Sequence, residues 1–287
     1  MTAWRLLDTG HLPGPLNMAI DMAILHSYER GQLPPTMRFY QWSPPAVSLG
    51  YFQKDNSVDI QRCNQLGIDV VRRPTGGRAV LHLDDLTYSI VAGRKDGMPY
   101  YVSDAYRLLA KGFFEGFRKM GFEPESENET SGLSKADICF MRFARGDLLY
   151  QRKKFMGSAQ TWIGASLLQH GSIILEPQIE TLKKIFPSAV YSDEDLSKNL
   201  QSRITSLSEI FGRRIDQSEV KSFLMEGMSH ALGVELQTGD LTTEEWEKAR
   251  ELSLNQAKSD PVHDQDLKEF MKLLDQQKRS GMKSHLG

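Results

Sequence analysis

Between Thr36 and Gly93 the chain passes through short segments rich in β-branched and aromatic residues that follow one another almost without a break. "TMRFYQWS" and "AVSLGYFQ" flank Pro44 and Pro45, "IDVVRR" and "RAVLHL" flank "PTGG", and "LTYSIVAG" comes next. One short helical pattern, "DIQRCNQLG", interrupts the series. Runs of this composition bounded by Pro and Gly read as strands. Strands that neighbour one another without intervening helices predict an α+β fold rather than a doubly wound parallel sheet.

Helical spacing appears on both sides of this block. "PLNMAIDMAILHSYERG" repeats apolar residues at Leu16, Ala19, Ile20, Ala23 and Ile24 and stops at Gly31. "SDAYRLLAKGFFEGFRKMG" predicts a long helix capped by Ser103 or Asp104 and ended by Gly121. "LLYQRKKFMGSAQTWI" and "SLLQHGSIIL" then read as sheet strands. From about residue 177 the patterns are helical only, and the last two, including "QDLKEFMKLLDQQKRSG", are strongly charged.

Composition narrows the function classes. The 287 residues carry a formal net charge of −2, without the basic excess of a nucleic-acid binder. No apolar run is long enough to cross a bilayer, and "MTAWRLLDTGHLPGP" lacks the regions of a signal peptide. The two cysteines, Cys63 and Cys139, are far apart and form neither a disulfide framework nor a zinc spacing. A reduced, cytoplasmic setting is expected, with no metal and no cofactor. Cys63, inside a short helical pattern, reads as a core residue.

Two stretches carry potential chemistry. "RRPTGGRAVLH" puts Gly76 and Gly77 between two strands, amid Arg72, Arg73 and Arg78. Such a turn lets a ligand approach main-chain N–H groups, and guanidinium groups suit a phosphate or carboxylate. A plain hairpin with exposed arginines fits the spacing equally. The second stretch runs from Cys139 to Lys154 and on to a small-residue turn at Gly157, Ser158 and Ala159. A thiol and an amine brought together make an acyl-transfer site; a core cysteine and a wet lysine are the alternative. Strand alternation puts Lys153 and Lys154 on opposite faces without saying which points inward.

Taken together, these stretches resemble the lipoate-protein ligase and octanoyltransferase superfamily. Arg72, Arg73, Thr75, Gly76, Gly77, Val80 and His82 match its Arg-Arg-x-Thr/Ser-Gly-Gly-x-x-Val-x-His signature. Asn17, Met18, Ala19 and Asp21 match its early helix, although Met22 departs, and "AVSLGYFQ" resembles its following strand. Lys154, Gly157, Ser158, Ala159, Gln160, His170, Gly171 and Ser172 match its later motifs. The resemblance implies a biotin/lipoate ligase-like fold: a mixed, mostly antiparallel sheet flanked by helices, with a helical C-terminal extension. Residues 1–250 would form the catalytic domain, with its core sheet at about 1–177, and 251–287 a charged helical tail. Cys139-Phe140, 15 residues ahead of Lys154, resembles the branch that transfers octanoyl groups from acyl carrier protein. Arg78 stands where ATP-dependent ligases carry a third glycine and points the same way. "MRFARGDLLY" departs from what that branch has after Cys-Phe.

The resemblance implies that Cys139 is the nucleophile and that Lys154 lowers its pKa and moves protons. It implies that Arg73, Thr75, Gly76, Gly77, Arg78, His82, Gly157, Ser158, Ala159, His170 and Gly171 bind substrate. The donor would be octanoyl-acyl carrier protein; the acceptors would be lipoyl domains of 2-oxoacid dehydrogenase E2 subunits or the glycine cleavage H protein. Three alternatives stand beside this reading: an ATP-dependent lipoate ligase, an octanoyl-H-protein amidotransferase and a non-catalytic acyl binder. N–H groups of Gly157–Ala159 or of Gly76-Gly77 are oxyanion candidates. Arg72, Arg73, Arg78, Arg142, Arg145, Arg152 and Lys153 form either a docking rim for acidic carrier domains or a solvated scatter. Met18, Met22 and Met141 are core residues or line an acyl tunnel. A monomer is expected.

Overall fold

The computed structural model describes residues 2–126, 131–132, 142–143, 146–186 and 193–259. Cys139, Phe140, Met141, Arg145 and the charged segment 260–287 lie outside the described residues. In chain order the elements begin with β1 (Thr2–Leu12), α1 (Gly14–Glu29), β2 (Thr36–Trp42), β3 (Ala46–Leu49), α2 (Ile60–Gln65), β4 (Asp69–Arg72), β5 (Val80–His82) and β6 (Asp85–Gly93). Next come α3 (Val102–Met120), β7 (Glu125–Ser126), β8 (Ser131–Gly132), β9 (Arg142–Phe143), β10 (Leu148–Tyr150), β11 (Lys153–Ile163) and β12 (Ser166–Ile174). The chain continues with α4 (Ile179–Ile185), α5 (Asp193–Arg203), α6 (Leu207–Phe211), α7 (Gln217–Leu232), β13 (Val234–Thr238) and α8 (Thr243–Ser259).

The main sheet has the order β13-β1-β2-β6-β12-β11-β10-β7. β1 pairs in parallel with β13 and β2, and every other pairing in it is antiparallel. The expected α+β class with a mostly antiparallel sheet is what the structure has. A smaller sheet has the order β4-β3-β5. β3 therefore separates β4 from β5, and the Arg-Pro-Thr-Gly-Gly segment is a crossover rather than a hairpin.

Strand alternation gives the main sheet two different faces. On one, Leu86, Tyr88, Ile90 and Ala92 of β6 pack with Leu109, Phe113 and Phe117 of α3 and with Leu224 and Met228 of α7. On the other, Val91 and Leu168 meet Ile20, Ala23 and Ile24 of α1, and Ala249 of α8 joins the same cluster. This second face also carries Asp85, Thr87 and Ser89, all buried. Burial on both faces makes β6 apolar-looking throughout, and its inward polar residues must find partners inside the protein.

Two local expectations need correction. The N-cap of α3 is Tyr101, without a side-chain cap bond, so Ser103 and Asp104 lie inside the helix. Gly121 does end it, at φ 108°. β13 has no counterpart in the helical reading of the C-terminal third. It is short and half exposed, and its apolar alternation is limited to Val234 and Leu236. Among the described residues no helix is long and apolar enough to cross a membrane.

Candidate active site

The polar face of the central strands forms the floor of a pocket containing about 550 Å³ of space, counting the part open to solvent. β11 and β12 supply Gly157, Ser158, Ala159, His170, Gly171 and Ser172; β2 supplies Tyr40 and Trp42. The small sheet and its crossover supply Ser48, Arg73, Gly77, Val80 and His82, and α1 supplies Met18. Of the candidate substrate-binding residues, Arg73, Gly77, His82, Gly157, Ser158, Ala159, His170 and Gly171 thus share one pocket. Thr75, Gly76 and Arg78 sit in the crossover behind it and are not in its lining. Met22 packs with the α1 cluster instead.

Lys154 is the inward lysine, fully buried, whereas Lys153 is half-buried. Its Nζ lies 2.7 Å from Oδ2 of Asp147, which lines the pocket and is also buried. Gly157 makes room for it: a Cβ there would sit 2.9 Å from Lys154 Cε and 3.1 Å from Nζ. The ammonium therefore lies directly behind the Gly157 stretch of the pocket wall. Asp147 was not anticipated, although it is the only acidic residue between Cys139 and Lys154. Buried charges need partners, and this pairing meets that requirement.

Gly157, Ser158 and Ala159 are not in a turn. They stand mid-strand, opposite Ser172, Gly171 and His170. β10 reaches only to Met156, so beyond it this edge of β11 has no ladder partner among the described residues. Arg72 and Arg73 are also not the free guanidinium groups that the sequence suggested. Arg73 is buried and donates to the carbonyls of Ser48, Gly76 and Arg78 at 2.7–3.2 Å, which shapes the crossover around Gly77 (φ 100°). Arg72 donates to the carbonyls of Gly50 and Gln53 and pairs with Asp55. Neither arginine is free to serve an exposed docking rim.

Two histidines hold the pocket together through parallel arrangements. His170 has Nδ1 3.2 Å from Asp21 Oδ2 and Nε2 2.6 Å from Thr75 Oγ1, which ties the floor to the crossover. His82 has Nδ1 2.8 Å from Asp85 Oδ2 and Nε2 2.9 Å from Ser48 Oγ, and Trp42 stacks on its ring at 4.0 Å. Burial lowers the pKa of His170, so it is neutral at neutral pH. Burial pushes the Asp21 carboxyl up, but Arg38 at 2.7 Å, His170 and Ser89 outweigh that and keep it below its ordinary value. The early-helix residues Asn17 and Asp21 thus anchor Arg38 and His170 rather than reaching the pocket. Cys63 is buried, and burial raises its pKa to about 11, an inert thiol. Met18 lines the pocket.

Comparison with known proteins agrees with this geometry. Residues 13–229 match the model of the lipoyl protein ligase A/B catalytic domain. The chain is 39% identical over 262 residues to octanoyltransferase LipM of Kyrpidia tusciae, covering 88% of this chain and 95% of that protein. It is 32% identical over 268 residues to octanoyltransferase LipM of Bacillus subtilis, covering 90% and 96%. A crystal structure of lipoate-protein ligase A bound with ATP superposes with a TM-score of 0.73 at 25% identity, covering 88% of this chain and 94% of that one. A putative lipoate protein ligase from T. acidophilum with bound lipoic acid gives a TM-score of 0.71 at 26% identity, covering 88% and 95%. With its signature residues gathered around one pocket and most of its length matched, the chain belongs to the lipoyl protein ligase A/B catalytic domain family.

Proposed function

We propose that the protein transfers an octanoyl group from octanoyl-acyl carrier protein to a lysine of lipoyl domains, through a thioester on Cys139. Its acceptors are lipoyl domains of 2-oxoacid dehydrogenase E2 subunits or the glycine cleavage H protein. That it is an acyltransferase of lipoate assembly rests on extended similarity to octanoyltransferases. The observation that carries the finer reading is the buried Lys154–Asp147 pair behind the Gly157 wall.

Only a thiolate attacks a thioester efficiently, and a free cysteine, with a pKa of about 8.5, is mostly thiol at neutral pH. An ammonium group at the pocket wall favours the charged sulfur. Cys139 stands eight residues ahead of Asp147 in the sequence, so at most about 29 Å of extended chain separates them. The thiolate attacks the donor thioester carbon, the carrier thiol leaves, and the octanoyl group rests on Cys139. The neutral acceptor amine then attacks that thioester and the C–S bond breaks; Lys154 gives its proton to the leaving sulfur and takes the proton that the amine nitrogen sheds, which leaves amide and thiol. Amide formation from a thioester is downhill and consumes no nucleotide.

The test is incubation with octanoyl-acyl carrier protein and a lipoyl domain in the absence of ATP. Amide product, a hydroxylamine-labile octanoyl adduct on Cys139 and loss of both in Cys139→Ala are expected. Strict dependence on ATP, or full activity in Cys139→Ala, overturns the reading.

A further inference from the structure

The turn that follows β3 presents two aromatic rings to solvent. Gly50-Tyr51-Phe52-Gln53 is closed by the Gln53 N–H, which donates to the Gly50 carbonyl at 2.9 Å, so Tyr51 and Phe52 hold its two corners. Turn corners ordinarily carry Gly, Pro, Asn, Asp or Ser. Here Tyr51 is 55% and Phe52 88% exposed, and the two rings touch edge-on at 4.8 Å. Phe52 is the most exposed large apolar side chain among the described residues. The backbone beneath the rings is fixed. Arg72 Nη1 donates to the Gly50 carbonyl at 2.8 Å and to the Gln53 carbonyl at 2.6 Å. The Gly50 N–H donates to Gln53 Oε1 at 3.2 Å, and the Tyr51 N–H donates to the Thr75 carbonyl at 2.9 Å. Rings on a backbone already held in place lose little further freedom on binding, which suits an aromatic anchor for a protein partner.

The same turn borders the opening of the pocket. Most of the lining is buried, but Gly77 is exposed and Val80, Ser158, Ala159 and Gly171 are half-buried, so the opening lies between the crossover and the central strands. Gly50 packs against Gly77 so closely that a Cβ on it would sit 2.1 Å from the Gly77 carbonyl oxygen. We propose that Tyr51 and Phe52 anchor the acceptor lipoyl domain, an inference that rests on the acceptor reading above. A target lysine has only a four-carbon stem, so the domain that bears it must press against the opening while the amine is inside. A carrier protein presents its acyl group on a much longer thiol arm and can stand off from this rim. The other exposed aromatic pair, Tyr100 and Tyr101, is less suited to the acceptor. It follows Gly93 at the end of β6, about 20 Å along that strand from Thr87 in the pocket lining. The Arg94 guanidinium also covers Tyr100, 4.0 Å above its ring.

The experiment measures octanoyl transfer by the full chain from octanoyl-acyl carrier protein to an unmodified lipoyl domain, in Phe52→Ser, Phe52→Tyr and the unsubstituted protein. In Phe52→Ser, kcat/KM for the lipoyl domain should fall about tenfold or more, the loss typical of an aromatic anchor. That loss should be carried by KM and should be several times larger than any loss in kcat/KM for the donor, and Phe52→Tyr should restore most of it. A benzophenone side chain placed at position 52 should crosslink to the lipoyl domain on illumination. An unchanged kcat/KM for the lipoyl domain, equal losses for donor and acceptor, a loss in kcat alone, or a crosslink that captures the carrier protein or a second copy of the chain instead overturns the docking site and leaves the transfer reading standing. Failure of the unsubstituted protein to octanoylate the lipoyl domain overturns the acceptor reading and the docking site with it.

Discussion

A single residue, His170, shows how motif positions far apart in sequence become one electrostatic unit. Its ring joins Asp21, 149 residues away, to Thr75, 95 residues away. The sequence marks all three as motif residues but cannot show that two of them support the third. Burial holds the folded pKa of His170 below its ordinary 6.5. Below pH 6.5 the unfolded chain therefore takes up a proton that the folded protein refuses. Stability from this residue is complete above pH 6.5 and declines as the pH falls toward the folded pKa, by up to about 1.4 kcal/mol per pH unit. Urea unfolding between pH 7.5 and 5 (about the range in which an ordinary histidine titrates) should show that decline, and His170→Gln should flatten it. His26, also lowered by burial, adds a change of the same sign that the variant keeps. An unchanged slope would contradict the assignment.

At the scale of elements, α3 and α7 press together where neither has side chains. A Cβ on Gly227 would collide with the main chain of Gly112 and Gly116. Periodicity finds both helices but not the closeness of their crossing, because a glycine in a helix looks only like a weak helix former. Gly227→Ala should cost about 1–3 kcal/mol through overpacking, read as a lower urea midpoint. The pocket lies on the opposite face of the sheet, so octanoyl transfer at low temperature should persist. The crossover between β4 and β5 makes the complementary case. Its composition announces a turn with glycines and arginines, yet the pairing of β3 between the two strands decides that the arginines bind main-chain carbonyls.

At the scale of the whole molecule, the described part of the C-terminal third is tied to the main sheet. β13 extends it beside β1, and α8 packs on α1. The tie is Arg5 of β1, whose Nη2 lies 2.6 Å from Glu245 of α8 with both side chains buried. Glu245→Ala removes one partner of a buried ion pair and should cost about 3–5 kcal/mol in urea unfolding. Glu251→Ala, which breaks the more exposed pair with Lys248, should cost at most about 1 kcal/mol. Similar costs for the two would mean that α8 is peripheral.

The sequence by itself determined the class of fold, the family and most of the residues that gather at the pocket, because strand composition and motif spacing are local and survive as a string. Strand alternation did not determine which lysine turns inward, a choice that rested on the family motif alone, and nothing in the sequence showed that Asp147 meets it or that Ser48, His82 and Asp85 line up. Those facts depend on the register between strands and on which of two sheet faces is covered. A shift of one residue would reverse every side chain, so only the assembled sheets could decide them.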